Sequence, residues 1–405
     1  MFFTNWLQKV QRGFQGNRTR RRRQVSGTPV ASEVLESRRV LTDLVRFNPV
    51  VPTNVEANLT NGVLAITGTD RNDKIVVQRV DGQISIRGVR VNEDGKLVKS
   101  VAASDVHGIE INGLKGHDRI QFHESGGHRE AIQINATING GAGNDTIQSG
   151  AGNDWLRGGN GNDSITAGAG DDLIYGEAGN DTLNGGAGSD SLFGDREVVW
   201  VGGETPNVIE HNGHDVLRGS GGNDTLTGGL GDDILNGGSG VDRLVESGDV
   251  NFKLTSSRLI GQGKDSVSNI EAAELHGGNT ANRLDARAFH GRVTLEGRGG
   301  NDTLIGGSDD DSLIGGWIDD LVFDGGDIAF SSTQYEAFFG ILDGDDSLDG
   351  GAGNDELHGG LGSDTLQGDA GRDTLVTDHN DVLVSPDGDV LVFSDLPEPV
   401  ALTIR

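Results

Sequence analysis

The chain has 405 residues, and glycine supplies 67 of them, more than twice its usual share of roughly 7%. Acidic residues outnumber basic ones by 62 to 33, and hydrophobic residues make up only 34% of the chain, which argues against a conventional enzyme with one large apolar core. The seven prolines and the lack of a three-residue glycine period exclude collagen, no apolar run predicts a transmembrane helix, and the absence of cysteine excludes disulfides and thiolate metal sites.

Residues 1–46 form a basic segment with a net charge of +7, which leaves -36 on the rest of the chain. Arg20–Arg23 are not followed by the apolar stretch of a secretory signal. Leu35–Thr42 (LESRRVLT) resembles an L-E-x-R-x-L-L-S type motif near the N terminus of large exported bacterial proteins. We therefore interpret this segment as an export or targeting arm and expect it to be disordered; an amphipathic part of an ordinary tail is the alternative. The anionic body predicts no nucleic-acid partner.

Residues 47–139 show the alternation of β-strands in VLAIT, KIVVQRV, QISIRGVRV, GIEIN and RIQF. Two fragments, around Asp73 and Asp118, resemble decayed copies of the turns that follow further along the chain. This pattern favours a metal-poor first portion of one β-solenoid. A separate β-sandwich is the alternative.

Residues 140–376 contain an internal repeat of nine residues, beginning with GGAGNDTIQ at Gly140. Seventeen such blocks occur in four runs, at 140–193, 210–245, 297–323 and 341–376. Position six is aspartate and position eight is aliphatic in all 17 blocks, while position four is glycine in 15, with Asp309 and Ile318 as the exceptions. Random low-complexity sequence would not keep three positions in phase over this length.

The repeat predicts a stack of short coils. Glycines at positions two and four allow a tight turn whose carbonyl groups point to one side, and the last three residues form a short strand with its central aliphatic side chain inside. Two blocks complete a coil of 18 residues, and successive coils stack as parallel strands about 4.8 Å apart. A core one residue wide cannot by itself offset the entropy of ordering the backbone.

Aspartates 18 residues apart should face each other on successive coils, as Asp145 faces Asp163. Calcium binds carboxylate and carbonyl oxygens and fits such turns better than the smaller, strictly octahedral magnesium ion. Pairs within the four runs predict up to about nine sites. A solvated turn role and a calcium-free solenoid are the alternatives. The candidate metal ligands are Asp145, Asp154, Asp163, Asp172, Asp181, Asp190, Asp215, Asp224, Asp233, Asp242, Asp302, Asp311, Asp320, Asp346, Asp355, Asp364 and Asp373.

Three interruptions, at 194–209, 246–296 and 324–340, are predicted to be irregular coils packed on the solenoid. Residues 377–405 follow the last repeat. There, DVLV and DVLVF flank the turn signal Ser385–Gly388, which predicts a hairpin that caps the last coil.

The phased G-G-x-G-x-D-x-U-x blocks resemble the RTX, or hemolysin-type calcium-binding, repeat family. The resemblance implies an all-β fold, a right-handed parallel β-roll with calcium in its glycine-rich turns. It also implies export through a type I-like secretion channel and a secreted or cell-surface location.

No catalytic constellation is found in the sequence: G-x-S-x-G, a P-loop and a helical H-E-x-x-H are all lacking. We therefore expect a non-enzymatic, calcium-binding protein of structural or adhesion type. The alternative is an RTX-bearing enzyme or carbohydrate-binding adhesin with its active part in residues 47–139 or 246–296.

Overall fold

The computed structural model describes residues 54–123, 129–201, 205–316, 344–360, 362–377, 381–384, 390–393 and 400–403. All of them belong to one compact unit, Pro52–Arg405. The predicted basic arm at 1–46, the third interruption at 324–340 and Asp320 lie outside the described residues. Within the described part, the only helix is a single 3-10 turn at Ala103–Asp105, and no helix is long and apolar enough to cross a membrane.

Strands account for almost all the regular structure, and the first ten precede the repeats. They are β1 (Glu56–Thr60), β2 (Val63–Thr67), β3 (Lys74–Val80), β4 (Gln83–Ile86), β5 (Val91–Glu93), β6 (Lys96–Val98), β7 (Val101–Ala102), β8 (Gly108–Asn112), β9 (Arg119–His123) and β10 (Arg129–Glu130).

Fifteen strands follow in the first two runs of repeats and the interruption between them. They are β11 (Ala136–Ala142), β12 (Thr146–Gln148), β13 (Trp155–Asn160), β14 (Ser164–Ala169), β15 (Leu173–Ala178), β16 (Thr182–Ala187), β17 (Ser191–Phe193), β18 (Arg196–Val201), β19 (Thr205–Glu210), β20 (Asn212–Gly213), β21 (Val216–Gly221), β22 (Thr225–Thr227), β23 (Leu230–Gly231), β24 (Ile234–Ser239) and β25 (Arg243–Ser247).

The remaining described strands continue to the C terminus. They are β26 (Phe252–Thr255), β27 (Arg258–Ile260), β28 (Lys264–Ser268), β29 (Ala272–His276), β30 (Arg283–Ala288), β31 (Arg292–Arg298), β32 (Thr303–Ile305), β33 (Ser312–Gly316), β34 (Ser347–Asp349), β35 (Glu356–His358), β36 (Thr365–Gln367), β37 (Thr374–Thr377), β38 (Val382–Val384), β39 (Val390–Phe393) and β40 (Val400–Thr403).

The strands form two long sheets, and each contains 18 of the described strands. In the repeats the chain alternates between them: β11, β13, β15 and β17 lie in the first sheet, and β12, β14 and β16 in the second. Parallel pairing joins residues 18 apart, as in Ile147↔Ile165 and Leu156↔Ile174. The predicted parallel β-roll with a two-block coil is therefore confirmed.

The position-eight side chains form the core as two facing aliphatic ladders. Ile147, Leu156, Ile165, Ile174 and Leu183 are all at most 1% exposed. Each sits against its counterpart one coil away because the parallel register superimposes identical positions. The core is thus a column one side chain wide in each sheet, as the repeat predicts.

The first interruption does not break the stack. β18 and β19 pair with each other as an antiparallel hairpin inserted in one turn. On either side of it, β16 pairs directly with β21, and Leu183 lies opposite Leu217 across 34 residues of sequence. The stack also continues past the third interruption, since β32 pairs with β34 and Leu304 lies opposite Leu348.

The second interruption also stays within the roll, and it adds strands to one sheet only. In the second sheet, β24 pairs with β28, and β28, β27 and β26 form an antiparallel meander that leads to β30. In the first sheet, β25, β29 and β31 stack in parallel without extra strands. The stretch is therefore built of regular strands and continues both sheets.

Residues 54–123 stack on the repeats through the same two sheets. β8 pairs in parallel with β11, and β9 pairs in parallel with β12. Each long strand here contributes two inward side chains instead of one, such as Leu64 and Ile66 on β2, which are at most 1% exposed. This wider core buries more apolar surface per coil than the repeats do.

The C-terminal hairpin prediction is wrong in its pairing. β38 and β39, which flank residues 385–388, do not pair with each other; β38 continues the second sheet beside β36, and β39 continues the first beside β37. This places Leu383 and Leu391 on the two aliphatic ladders, against the core, which a two-stranded hairpin would not do. The antiparallel partner of β39 is β40, which follows it.

Candidate metal centre

The turns between strands have the backbone that the glycine positions predict. In the first block, Gly141 and Gly143 adopt φ of 112° and 128°, values that favour glycine strongly over residues with a Cβ. Glycines at the same two positions of the next block on this edge, Gly159 and Gly161, also have positive φ. A Cβ at Gly161 would collide with the carbonyl oxygen of Gly143, so these carbonyls point along the stack towards the next coil.

Position-six aspartates form a ladder along each of the two edges of the roll. The backbone N–H of Asp145 donates to Oδ1 of Asp163 at 2.7 Å, and that of Asp163 donates to Oδ1 of Asp181 at 2.7 Å. On the opposite edge, Asp154 and Asp172 are joined in the same way at 2.8 Å. One carboxylate oxygen of each aspartate is thus used to hold the coil before it.

The ladders run through the interruptions. The first edge, where the chain passes from the first to the second sheet, carries Asp73, Asp118, Asp145, Asp163, Asp181, Asp215, Asp233 and Asp265, and later Asn282, Asp302, Asp346, Asp364 and Asp381. The second edge carries Asp154, Asp172, Asp190, Asp224, Asp242 and Glu271, and later Asp311, Asp355 and Asp373.

Sixteen of the 17 predicted aspartates are described, and all sixteen are buried, with at most 3% exposure. In many of them the second oxygen, Oδ2, is buried without a hydrogen-bond donor among the described residues. This holds for Asp145, Asp163, Asp172, Asp181, Asp190, Asp215, Asp224, Asp233, Asp242, Asp302 and Asp355. A buried, uncompensated carboxylate oxygen is costly, so each of these atoms calls for a cation or a proton.

The glycine at position one makes room for this oxygen. A Cβ on Gly140 would lie 2.5 Å from Oδ2 of Asp145 and 2.7 Å from the carbonyl oxygen of Gly158 on the next coil. The same space is therefore lined by a carboxylate oxygen of one coil and a carbonyl oxygen of its neighbour. Hard divalent cations prefer this combination of oxygen donors.

The electrostatics of the ladder point the same way. Burial raises the pKa of Asp163 to about 8, although the N–H of Asp145 lowers it, and the neighbouring charges of Asp181 and Asp145 raise it further. Burial likewise raises the pKa of Asp172 and Asp215 to about 8. A bound divalent cation would reverse this effect and stabilise the ionised carboxylates.

Side chains alone do not complete a site. Within the described ranges, no group of three or more histidine, cysteine, aspartate or glutamate side chains is arranged to hold a metal ion. A cation between two coils would therefore take carboxylate oxygens from two aspartates and its remaining ligands from turn carbonyls or water. Calcium, with six to eight oxygen ligands and flexible geometry, accepts such a set.

Sequence reasoning missed the pairs that span interruptions and several acids off the repeat. Asp181 stacks on Asp215 across 34 residues, and Asp302 stacks on Asp346 across 44. Asp195, Glu246 and Asp265 also lie buried in the stack. Their signal was weak because none occupies position six of a nine-residue block.

In coils with degenerate repeats, some acids are compensated by protein groups instead. Oδ2 of Asp73 accepts hydrogen bonds from the N–H and hydroxyl of Thr69, at 2.6 and 3.0 Å. In the second interruption, Asn282 replaces aspartate on the ladder, and Asp285 pairs with Arg283 and Arg287. Asp73 and Asp285 therefore need no cation to compensate their charge, whereas Oδ2 of Asp118 is buried without a hydrogen-bond donor among the described residues.

A second charge cluster, on the outer face of the first sheet, tests whether protein groups can compensate partly buried acids without a cation. The ring of His276 contacts Glu296 at 2.5 Å and Glu274 at 3.3 Å, with Arg243 and Arg298 also paired to these glutamates. Burial lowers the pKa of His276, but its hydrogen bonds with the two glutamates outweigh burial and raise the pKa to about 9.

Because the folded pKa lies above the usual value near 6.5, the imidazolium should stabilise the fold fully below pH 6.5 and lose this effect as the pH rises through 9. We expect His276→Gln to lower the free energy of unfolding by about 1–3 kcal/mol at pH 6.5 and by much less at pH 9.5. Urea unfolding at both pH values, in saturating calcium, measures this. An equal loss at both pH values would contradict it.

Substitution of a position-one glycine tests whether the room it leaves beside the aspartate is needed for calcium binding. We expect Gly140→Ala to displace the Asp145 carboxylate and to weaken calcium binding at that coil, with about one ion fewer bound at subsaturating calcium. Gly108→Ala is the matched control, since this strand glycine has no atom within 4 Å of a Cβ. Calcium binding measured by chelator competition should separate the two variants. Equal binding by both would argue against a role for this space.

Comparison with known families identifies the repeat. A family model described as the RTX calcium-binding nonapeptide repeat (4 copies) matches residues 135–165, 157–192, 211–244, 294–322 and 342–375. The chain carries RTX calcium-binding repeats. The matched residues contain all 17 position-six aspartates, so most of the two ladders belongs to the RTX repeats, and the ladders extend beyond them at residues such as Asp73 and Asp265. No curated protein matches the chain significantly.

Proposed function

We propose that this RTX-repeat chain is a calcium-binding protein of structural or adhesion type, secreted or attached to the cell surface, that folds on calcium outside the cell. The observation that carries the proposal is the stack of buried aspartates, eleven of which, from Asp145 to Asp355, have an Oδ2 atom without a hydrogen-bond donor among the described residues. The RTX match supports calcium as the ion. The proposed ligands are the 17 position-six aspartates, with Asp320 included on its sequence alone.

Each proposed site lies between successive coils on one edge, as between Asp145 and Asp163. The two carboxylates would provide charge, and carbonyls such as that of Gly158 would complete the oxygen shell. The ion would neutralise acids that repel one another and would join two coils whose apolar core is one side chain wide. Calcium would thus supply the cohesion that this narrow core lacks.

Calcium concentration would then determine where the chain folds. Extracellular calcium modules commonly have dissociation constants of roughly 10⁻⁴–10⁻³ M. At cytosolic calcium the sites would be empty and the repeats unfolded, which suits passage through a type I-like secretion channel. Calcium outside the cell would fold them after export.

The proposal assigns the molecule a structural role, with no catalytic step. It is supported by the continuity of the roll, because residues 54–123 and 246–296 continue the same sheets as the repeats.

Calorimetric titration of the full chain with calcium tests the proposal. We expect several ions to bind, up to about nine from pairs within the runs and more if the pairs that span interruptions also fill. Magnesium at the same concentration should bind far more weakly. Binding of fewer than about three calcium ions, or a full β-sheet circular dichroism spectrum in EGTA, would argue against calcium-driven folding.

A further inference from the structure

Two buried acids occupy places that the RTX repeat gives to glycine, and both lie on the first edge of the roll. Asp195 follows Gly194 at position two of its coil, directly before the β18–β19 hairpin. Glu246 stands at position one, directly after the block that ends at Val245. They are 1% and 3% exposed, respectively.

Asp195 is the least compensated carboxylate of this edge. Both of its oxygens are buried and neither accepts a well-aligned hydrogen bond among the described residues, although the backbone N–H of Gly213 lies against the carboxylate. The ladder aspartates, in contrast, use Oδ1 to hold the preceding coil. The backbone of Asp195 is fixed: the N–H of His211 donates to its carbonyl oxygen at 2.8 Å and closes the base of the hairpin. The side chain is therefore held in place while its charge is unmatched.

Oδ1 of Asp195 lies beside Gly213, together with two other oxygens. The position that a Cβ of Gly213 would take lies 2.8 Å from Oδ1 of Asp195 and 2.9 Å from Oδ1 of Asp215. The carbonyl oxygen of Gly179, from the coil below, is closer still. Three oxygens from two successive coils thus converge on residue 213, where any side chain beyond glycine would collide with them.

Glu246 adds a further charge from the opposite side of the next coil. Its Oε1 accepts the N–H groups of Gly228 and Gly229 at 2.6 and 3.2 Å. Gly229 also lies against Asp195, whose Oδ2 is 3.2 Å from where its Cβ would be. Asp195 and Glu246 therefore flank the same turn, from below and above.

We propose that Asp195, together with Asp215 and the Gly179 carbonyl, and with Glu246 across the neighbouring turn, forms a calcium site that adds to the repeat sites, shares Asp215 with the first-edge ladder and is the tightest in the molecule. The inference rests on the proposed calcium-binding function. Affinity for calcium rises with the number of ligand charges and the rigidity of the site. This turn exceeds the repeat turns in charge, and the stacked coils on both sides hold it in place. The ion would also fix the base of the hairpin.

Competition of the full chain with a fluorescent calcium chelator tests this, with calcium as the only added ligand. We expect the wild type to bind one ion at least tenfold more tightly than the rest, and Asp195→Asn to lose that ion. Asp145→Asn, the same change in a repeat turn of the same edge, should keep the tight ion and lose a weaker one. Asp94→Asn, in the exposed β5–β6 turn, is the neutral control.

Retention of the tight ion by Asp195→Asn, or its equal loss in Asp145→Asn, would overturn the site. A wild type that binds no calcium at all would instead overturn the proposed function, and this inference with it. Thermal unfolding separates a metal role from a packing role. As the calcium concentration is raised, the thermal midpoint of Asp195→Asn should rise less than that of the wild type, because the variant binds one ion fewer. An equal rise, with the variant lower by the same amount at every calcium concentration, would overturn the proposal.

Discussion

Chelation of calcium is expected to unfold the repeat coils and to leave the N-terminal coils folded. In hydrogen exchange of the full chain, EGTA should remove amide protection from residues 140–245 and 344–377, while residues 54–123 keep theirs. When the free calcium concentration is roughly 100 times the dissociation constant of a site, the ion bound there adds about 2.7 kcal/mol to the free energy of unfolding. Loss of only a few ions therefore matches the whole stability of a typical domain, about 5–15 kcal/mol.

The N-terminal coils should stay folded in EGTA because their apolar core is wider than that of the repeats. Leu64 and Ile66 on one strand and Ile75 and Val77 on another are all at most 1% exposed, which doubles the inward side chains of a repeat strand. Asp73 already receives two hydrogen bonds from Thr69. Exchange by mass spectrometry with and without EGTA resolves the two regions. A uniform loss, or no loss, would show that core width does not determine calcium dependence.

Truncation of one side chain in the aliphatic ladder is expected to lower the free energy of unfolding by more than the size of the side chain suggests. Leu217 is 0% exposed and lies between Leu183 and Leu235 on neighbouring coils. Leu217→Ala should lower the free energy of unfolding in saturating calcium by about 2–5 kcal/mol, the usual range for a buried leucine. The upper part of this range is expected, because a column one residue wide has no second layer that can collapse into the cavity.

Ile234→Ala is the matched control for this variant. Ile234 is adjacent to Leu235 in sequence but is 50% exposed at position seven of its block. Its truncation should change stability by no more than about 0.5 kcal/mol. Urea unfolding of both variants in calcium gives the comparison. Similar losses would mean that the ladder is not the main source of apolar cohesion.

Much of the repeat region could be predicted because its information is local. Glycine at φ of 112° and 128° is a property of Gly141 and Gly143 themselves, and position eight always points inward after such a turn. The 18-residue register, with Ile147 on Ile165, then follows from the period alone. The strands VLAIT, KIVVQRV and GIEIN were predicted with their observed bounds for the same reason, since alternation is local as well.

The C-terminal hairpin shows where local signals mislead. Ser385–Gly388 is a strong turn signal, and strands on either side of such a turn commonly pair with each other. Here β38 and β39 can pair either with each other or with the last strands of the two sheets. Packing of Leu383 and Leu391 against the ladders favours parallel addition to the sheets. A turn signal specifies a change of direction, but it does not specify which partner a strand finds.

The sequence by itself determined the coil, its narrow core and its phased aspartates, because each depends on residues within 18 positions of one another. Only the tertiary structure decided which coils meet across the interruptions, since inserted residues carry no phase and Asp181 finds Asp215 only through stacking. It likewise brought Asp195 and Glu246 to one turn, 51 residues apart in sequence. Stacking buries charge from distant segments in one column, and that burial makes the chain a candidate to hold calcium.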